Sequence, residues 1–281
     1  MSRNVLIFFL FIIFLLAGCT NPDEMIEIRF NLQRGDVFKG EIEVEQSLIQ
    51  EISSQLFETN QASFATMHFT VKENKKNNLK IDVFYENISV HLKNPLISIK
   101  YDSQSKNNDA ELETIRNIIN KKITLTVNGN GAVQVEGINP ILNSIIRNNA
   151  FNPVATATII SFFNEKQIKN TLGYLFNYIS RKKVKSGNSW SGYQDINLNS
   201  SQLKINNKWK LVEINENTLL LNLKARTMGS KMQGEQEGEI EIDRQTGWIN
   251  TGRIIQNIPA GSDSGSIGLK STFTLRFEKI K

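Results

Sequence analysis

The sequence predicts an α+β protein in which a curled antiparallel β-sheet from N- and C-terminal meanders packs around a central helical segment. Three observations predict this class. Apolar and polar residues alternate with a period of two over residues 26–101 and again over 188–280. Residues 109–181, between them, carry apolar residues mainly at helical spacing. No linker rich in proline, glycine or serine divides the chain, so we expect residues 26–281 to form one domain.

The N-terminus has the pattern of a lipoprotein signal peptide. Arg3 is its single charge, and residues 5–16 form an apolar run that is too short to cross a bilayer. The run leads into Leu-Ala-Gly-Cys, which ends at Cys19, where small residues suit a signal peptidase and the thiol can carry lipid. We therefore expect residues 1–18 to be removed, Cys19 to be lipidated, and residues 19–25 to form a short tether.

Lipidation at Cys19 predicts a protein held on a membrane surface without crossing it. Each buried methylene contributes about 0.8 kcal/mol, so several acyl chains anchor a protein firmly. Thr20 stands where well-studied lipoproteins of the inner membrane often carry Asp, which favours the outer membrane. We expect a location in the cell envelope, on the periplasmic face or the cell surface.

The first meander begins at Ile26, and its first run, Met25 to Leu32, leads to the turn pair Gly35-Asp36. One face of the long strand that follows is mostly apolar, and the other carries lysine and glutamate. The mostly apolar face contains Phe38, Gly40, Ile42, Val44, Gln46, Leu48, Gln50 and Ile52. Similar alternation continues to Tyr101 and predicts hairpins with one covered face.

The middle of the chain predicts helices around a short hairpin. Apolar residues at helical spacing place helices within 109–121 and 139–181, and Asn-Pro pairs provide caps for two of them. Residues 122–136 contain an Asn-Gly turn between alternating runs, which predicts the hairpin. The helix from Asn152 to Phe163 is apolar almost all round, more than a one-sided cover requires.

The second meander occupies residues 188–280. Between two of its strands the chain has Asp243-Arg-Gln-Thr-Gly247-Trp248. Asp at the start of this stretch and Gly near its end predict a hairpin turn with Gly247 in the left-handed conformation. The last strand alternates Ile267, Leu269, Phe273, Leu275 and Phe277 with charged and hydroxyl side chains.

Enzyme chemistry finds little support in the residues. His68 and His91 are the imidazoles of the chain, and both fall on the polar faces of their strands. The thiol of Cys19 would be consumed by lipid, and no metal motif, nucleophile elbow or phosphate-binding glycine loop occurs. We expect no catalytic residue, no cofactor and no metal.

Charge is spread along the strands instead of clustered. The chain has 33 basic and 28 acidic side chains, and lysine and glutamate alternate on strand faces. The densest basic stretch, residues 181–185, follows a predicted helix, where cations complement the helix dipole. This pattern favours solubility over a nucleic-acid partner.

Aromatic residues of the helical segment are the candidate binding residues. They either line a cavity for an acyl chain or another apolar ligand, or they fill the concave side of the sheet. The candidates are Phe151, Phe162, Phe163, Tyr174 and Phe176.

Three local motifs carry a family resemblance: Leu32-Gln-Arg-Gly35-Asp-Val-Phe38, Gly187-Asn-Ser-Trp190 and the stretch from Asp243 to Trp248. With these motifs, the Leu-Ala-Gly-Cys pattern at Cys19 and its length, the chain resembles an uncharacterised family of bacterial lipoproteins, defined as a domain of unknown function. That resemblance implies no enzyme activity and supplies no functional residues. At the level of fold the chain is also similar to periplasmic lipoprotein carriers, which curl a sheet around helices to hold acyl chains.

Two functions remain open from the sequence. The first is a membrane-anchored envelope lipoprotein that binds an apolar ligand or a lipid. The second is a non-catalytic structural or assembly lipoprotein that contacts another envelope component.

Overall fold

Twelve strands form one antiparallel sheet in the computed structural model of the chain. The structure describes residues 24–52, 55–75, 78–96, 98–106, 113–129, 131–148, 160, 163–198, 201–228, 233–259 and 267–281. The predicted signal peptide, the lipidation site Cys19 and the first residues of the tether lie outside these ranges. Within them, no helix has the length and apolar character needed to span a membrane.

From Val37 onward the strands follow the alternating runs of the sequence, whereas the predicted first run, Met25 to Leu32, forms an isolated β-bridge at Ile26 and no strand. They are β1 (Val37–Ile52), β2 (Gln55–Lys75), β3 (Asn78–Lys93), β4 (Ser98–Asp102), β5 (Ile123–Asn128), β6 (Val133–Glu136), β7 (Ser189–Leu198), β8 (Ser201–Ile214), β9 (Thr218–Met228), β10 (Glu235–Asp243), β11 (Ile249–Ile258) and β12 (Ile267–Lys279). Their order in the sheet is β6-β5-β3-β2-β1-β12-β11-β10-β9-β8-β7, and β4 also pairs with β3.

The two meanders join where the first strand meets the last. β1 and β12 are antiparallel partners from the pair Phe38–Lys279 to the pair Gln50–Ile267. The sheet is open and curled, and its concave face carries the apolar residues of each strand. On β1 that face includes Phe38, Ile42 and Val44, which are all buried.

The expected α+β architecture with a central helical core is wrong. The described residues are mostly sheet, and their α-helices are short: α1 (Ile138–Asn148) and α2 (Glu165–Gly173). A 3₁₀ helix, Glu113–Ile118, stands in the region predicted as helix 109–121. Most of the predicted helix from Asn152 to Phe163 lies outside the described residues.

Helix α2 shows why helical spacing misled the prediction. Asn164 caps it by accepting a hydrogen bond from the Gln167 amide at 2.9 Å, as its position predicts. The helix ends at Gly173, a residue that loses more backbone entropy in a helix than any other. The next five residues, 174–178, form turns, and all five are buried. Apolar spacing there reflects burial on all sides and not one face of a helix.

A cluster of aromatic rings fills the concave face beside these turns. Trp248 stacks on Phe38 with ring centroids 4.6 Å apart and meets Phe176 edge to face at 6.0 Å. Phe30, from the segment before β1, contacts Phe176 and Tyr178 at 5.7 and 5.8 Å. Residues 24–36 and 174–184 thus cover the central strands, with backbone hydrogen bonds between them.

The turn between β10 and β11 confirms the predicted conformation of Gly247. Its φ angle is +70°, and its amide donates to the Asp243 carbonyl at 2.8 Å. The Asp243 carboxylate accepts hydrogen bonds from the amide and hydroxyl of Thr246 at 2.7 and 2.6 Å. The hydroxyl of Tyr178 donates to the Gly247 carbonyl at 2.7 Å, which ties the turn to the covering segment.

Candidate functional site

A cavity of about 340 Å³ lies between the concave face of the sheet and the segment around α2. Strands β1, β2, β3, β11 and β12 form its floor. Phe163 and the side of α2 that carries Gln167, Thr171 and Leu172 form its roof.

The wall of this cavity is mainly apolar on the sheet side. Alternation along the strands places every second side chain on this wall. These side chains are Ile42, Val44, Leu48, Ala65, Met67, Ile88, Val90, Leu92, Leu269 and Phe273. Such a surface favours hydrocarbon over water.

Along β1, β2 and β3, the burial of the side chains that line the cavity decreases from one end to the other. Met67 and Ile42 are 1% and 4% exposed, whereas Leu48, Thr59 and Leu92 are half-buried. The half-buried residues lie toward the end of the sheet that contains the β1–β2 hairpin. The cavity therefore opens toward that end and is closed at the end with Met67.

A row of polar side chains crosses the concave face at one level. Strand register places Asn207, Ala225, Gln236, Gln256, Ser271, Gln46 and Gln61 opposite one another on β8, β9, β10, β11, β12, β1 and β2. We call the six polar members of this series the polar row. Four of them line the cavity: Gln46, Gln61, Gln256 and Ser271.

Gln256 is the buried amide of the polar row inside the cavity. It is 2% exposed, as is Ser271, and the Ser271 hydroxyl donates to Gln256 Oε1 at 3.2 Å. No hydrogen-bond acceptor for Gln256 Nε2 lies within reach among the described residues. On the next strand, Gln236 is 3% exposed, and both atoms of its amide lack a partner in the same part of the chain. Buried amides are normally paired, so these two stand out.

The predicted aromatic residues separate into three groups. Phe163 and Tyr174 line the cavity, where Phe163 meets Tyr85 edge to face at 5.9 Å and Tyr174 packs on Phe273 at 4.8 Å. Phe176 is fully buried in the aromatic cluster around Trp248, outside the cavity wall. Phe151 and Phe162 lie outside the described residues.

The described part of the cavity wall carries no charged side chain. Its described residues include no Asp, Glu, Lys, Arg or His. Tyr85 is a titratable group on the wall, and burial raises its pKa well above the ordinary value of tyrosine. The phenol therefore stays protonated and uncharged at neutral pH.

Both histidines lie away from the cavity wall. His68 stacks on Phe84 with ring centroids 4.7 Å apart, and its Nε2 is 2.7 Å from Glu86 Oε2. His91 is exposed on β3. Hydrogen bonds from His68 and then Lys39 lower the pKa of Glu86 below its ordinary value. Among the described residues, no three Asp, Glu, His or Cys side chains are grouped as metal ligands.

The sequence indicates the polar row by polar residues at inward positions of its strands, but the candidate binding residues predicted from it are all aromatic. Gln46 falls in phase with Ile42 and Val44, Gln256 with Ile254 and Ile258, and Ser271 with Leu269 and Phe273. Polar residues at inward positions of apolar strands indicate buried polar chemistry. Only the strand register shows that these polar residues lie opposite one another across the sheet.

Comparisons with known proteins give a family but no activity. Residues 76–249 match the model of DUF6263, a family of unknown function. No curated protein matches the sequence significantly.

Similarities to solved structures are weak. A lipovitellin structure titled for its lipid–protein interactions is 9% identical over 88% of this chain, with a TM-score of 0.46, and the chain spans 25% of its length. An outer membrane channel from Pseudomonas putida F1 is 6% identical, covers 89% of this chain and 97% of its own, and has a TM-score of 0.25. A structure titled as an outer membrane lipoprotein-sorting protein domain from Vibrio parahaemolyticus is 7% identical, covers 89% of this chain and 87% of its own, and has a TM-score of 0.18. These TM-scores are too low to establish a shared fold.

Proposed function

Since the chain belongs to the DUF6263 family of unknown function, its activity must be inferred from its own residues, and we propose that it binds the hydrocarbon part of a lipid without catalysis. The cavity on the concave face is the binding site. A lipid anchor on Cys19 holds the protein on a membrane of the cell envelope.

The observation that carries this proposal is the cavity of about 340 Å³ with its apolar wall. Ligand sites in proteins have volumes of roughly 300–1,000 Å³ and combine apolar walls with a few polar groups. The wall formed by Val44, Met67, Val90 and Phe273 has this character. Each methylene group that enters such a site contributes about 0.8 kcal/mol.

The anchor would place the cavity close to its source of ligand. Glu24 forms an ion pair with Arg244, so the fold begins five residues after Cys19. An extended chain spans at most about 3.6 Å per residue, which limits the separation between Cys19 and Glu24 to roughly 18 Å. A lipid could therefore pass between bilayer and cavity over a short distance.

A non-catalytic role is supported by the chemistry of the cavity wall. Its described residues supply amides, hydroxyls and hydrocarbon, which bind ligands but do not serve as general bases at neutral pH. His68 is engaged with Glu86 outside the wall.

Filling the cavity tests the proposal. Ala65 lines the cavity on β2, and Ala62 on the same strand is exposed. We expect Ala65→Trp to remove most of the lipid that co-purifies with the full chain and to abolish uptake of a neutral naphthylamine probe. Ala62→Trp, the matched control, retains both. Lipid extraction followed by mass spectrometry, and probe fluorescence, are the measurements.

The outcomes separate the two functions that the sequence left open. Loss of ligand in Ala65→Trp alone supports lipid binding. Wild-type protein that carries no lipid and takes up no probe would contradict it. The structural or assembly role would then be the better explanation.

A further inference from the structure

We propose that the polar row selects the ligand: Gln256, held by Ser271, donates a hydrogen bond to an uncharged carbonyl oxygen at the end of an acyl chain. The ligand class is an acyl ester or acyl amide without net charge at that group, and not a free fatty acid. This inference rests on the proposed function and adds the chemistry of recognition to it.

The first support is the position of the polar row. It separates two apolar regions of the concave face. Ile42, Val44 and Met67 lie on the closed side, and Leu48, Leu269 and Ile258 lie toward the opening. A ligand that enters at the open end and fills the closed end must cross this level. Its polar group and the polar row can then meet.

The second support is the orientation of the Gln256 amide. Because the Ser271 hydroxyl donates to Oε1, the Nε2 group of Gln256 is left with its hydrogens unshared among the described residues. An N–H group can be satisfied only by an acceptor. A carbonyl oxygen of the ligand supplies one, and hydrocarbon does not.

The third support is the absence of cations from the described cavity wall. A carboxylate buried without a cation loses its hydration and gains no ion pair, which strongly disfavours its binding. An ester or amide carbonyl loses much less hydration and accepts the hydrogen bond from Gln256. The wall therefore discriminates against a charged end group while accepting a neutral one.

Photocrosslinking of the full chain in mild detergent tests this inference. The probe is a monoacylglycerol with a diazirine in its acyl chain. Competitors with the same acyl chain length are an unlabelled monoacylglycerol, an N-acyl amide, the free fatty acid and an alkane. We expect crosslinks on cavity residues and competition by the ester, the amide or both, which distinguishes the two sources of the carbonyl. The fatty acid and the alkane should compete at least about tenfold more weakly.

Substitution of Gln256 provides the second measurement. Gln256→Leu removes the donor, and we expect monoacylglycerol to bind about fivefold more weakly while alkane binding is unchanged. Asn257→Leu, on the exposed face of the same strand, is the matched control. The melting temperature of Gln256→Leu should change little, because removal of the unpaired Nε2 group offsets loss of the hydrogen bond from Ser271.

The results distinguish failure of this inference from failure of the proposed function. Crosslinks to cavity residues with equal competition by alkane or better competition by fatty acid would overturn the carbonyl proposal and leave lipid binding intact. Unchanged monoacylglycerol affinity in a folded Gln256→Leu protein would do the same. Absence of any crosslink to the cavity in the wild type would overturn both.

Discussion

Gln236 and Gln256 lower stability at the residue scale. A buried polar group without a hydrogen-bond partner costs about 1–3 kcal/mol, and among the described residues both amide atoms of Gln236 and the Nε2 atom of Gln256 lack one. Glutamine at these inward positions is therefore unfavourable for folding alone.

Glu86 makes stability depend on pH in a defined direction. The hydrogen bond from His68, followed by that from Lys39, lowers the pKa of Glu86 below the ordinary 4.5. A carboxyl group with a lowered pKa in the folded state stabilises the fold above its unfolded pKa, and that contribution disappears as the pH falls through the folded value. We expect the free energy of unfolding to fall less between neutral pH and about pH 3 in Glu86→Gln than in the wild type.

Denaturant titrations at the two pH values measure this effect. Glu45→Gln, at an exposed position of β1, is the control and should retain the wild-type pH dependence. An acid dependence of Glu86→Gln equal to that of the wild type would show that the His68–Glu86 contact does not stabilise the fold.

Among the elements of the fold, the turn between β10 and β11 depends on Gly247. Its φ of +70° is unfavourable for side chains, and a β-carbon there would collide with the carbonyl oxygen of Arg29. We expect Gly247→Ala to lower the free energy of unfolding by about 2 kcal/mol or more. Gly35 has φ +95° but no neighbouring atom within 4 Å, so Gly35→Ala should cost only about 1 kcal/mol of conformational strain.

Thermal and denaturant unfolding of these two variants give the comparison. Equal losses of stability would indicate that backbone conformation alone matters and that the close packing of residues 24–36 on the turn contributes nothing.

Strands were predictable from this sequence, and so were the starts of α1 and α2, whereas the extent of the helical segment was overestimated. Alternation on β1 places Ile42 and Val44 on the buried face without knowledge of any partner strand. Residues 174–178 are buried on all sides, and such a stretch satisfies helical spacing whatever its backbone does. Periodicity reports one-sided burial, so it cannot distinguish a helix from turns inside a core.

The sequence indicated aromatic residues as candidates to line the site, but it did not predict which of them do so or that polar residues join them. Phe163 and Tyr174 stood out as aromatic residues and line the cavity, whereas Phe176 has the same chemistry but packs in the core. Gln46, Gln256 and Ser271 are far apart in sequence and meet through the register of β1, β11 and β12. Only that register shows that they form one row.

The processing predicted for the N-terminus would determine the location of the whole molecule. The run of residues 5–16 followed by Leu-Ala-Gly-Cys predicts cleavage before Cys19 and acylation of its thiol and amino group. Intact-mass measurement of protein extracted from membranes should give a chain that begins at Cys19 with added acyl mass. Cys19→Ser should abolish that mass. A chain that retains Met1, or a mature chain without acyl groups, would contradict the lipid anchor.

The pairing of β1 with β12 also determines when the sheet can close. β1 lies beside β2 on one side and beside β12 on the other. Without β12, the two meanders form two half-sheets, each with an unprotected edge. Pairing of strands that lie so far apart in sequence is slow, because the chain loses loop-closure entropy before the stabilising contacts form. The two meanders therefore keep exposed edges until β12 pairs with β1, and β12 is the strand that closes the sheet.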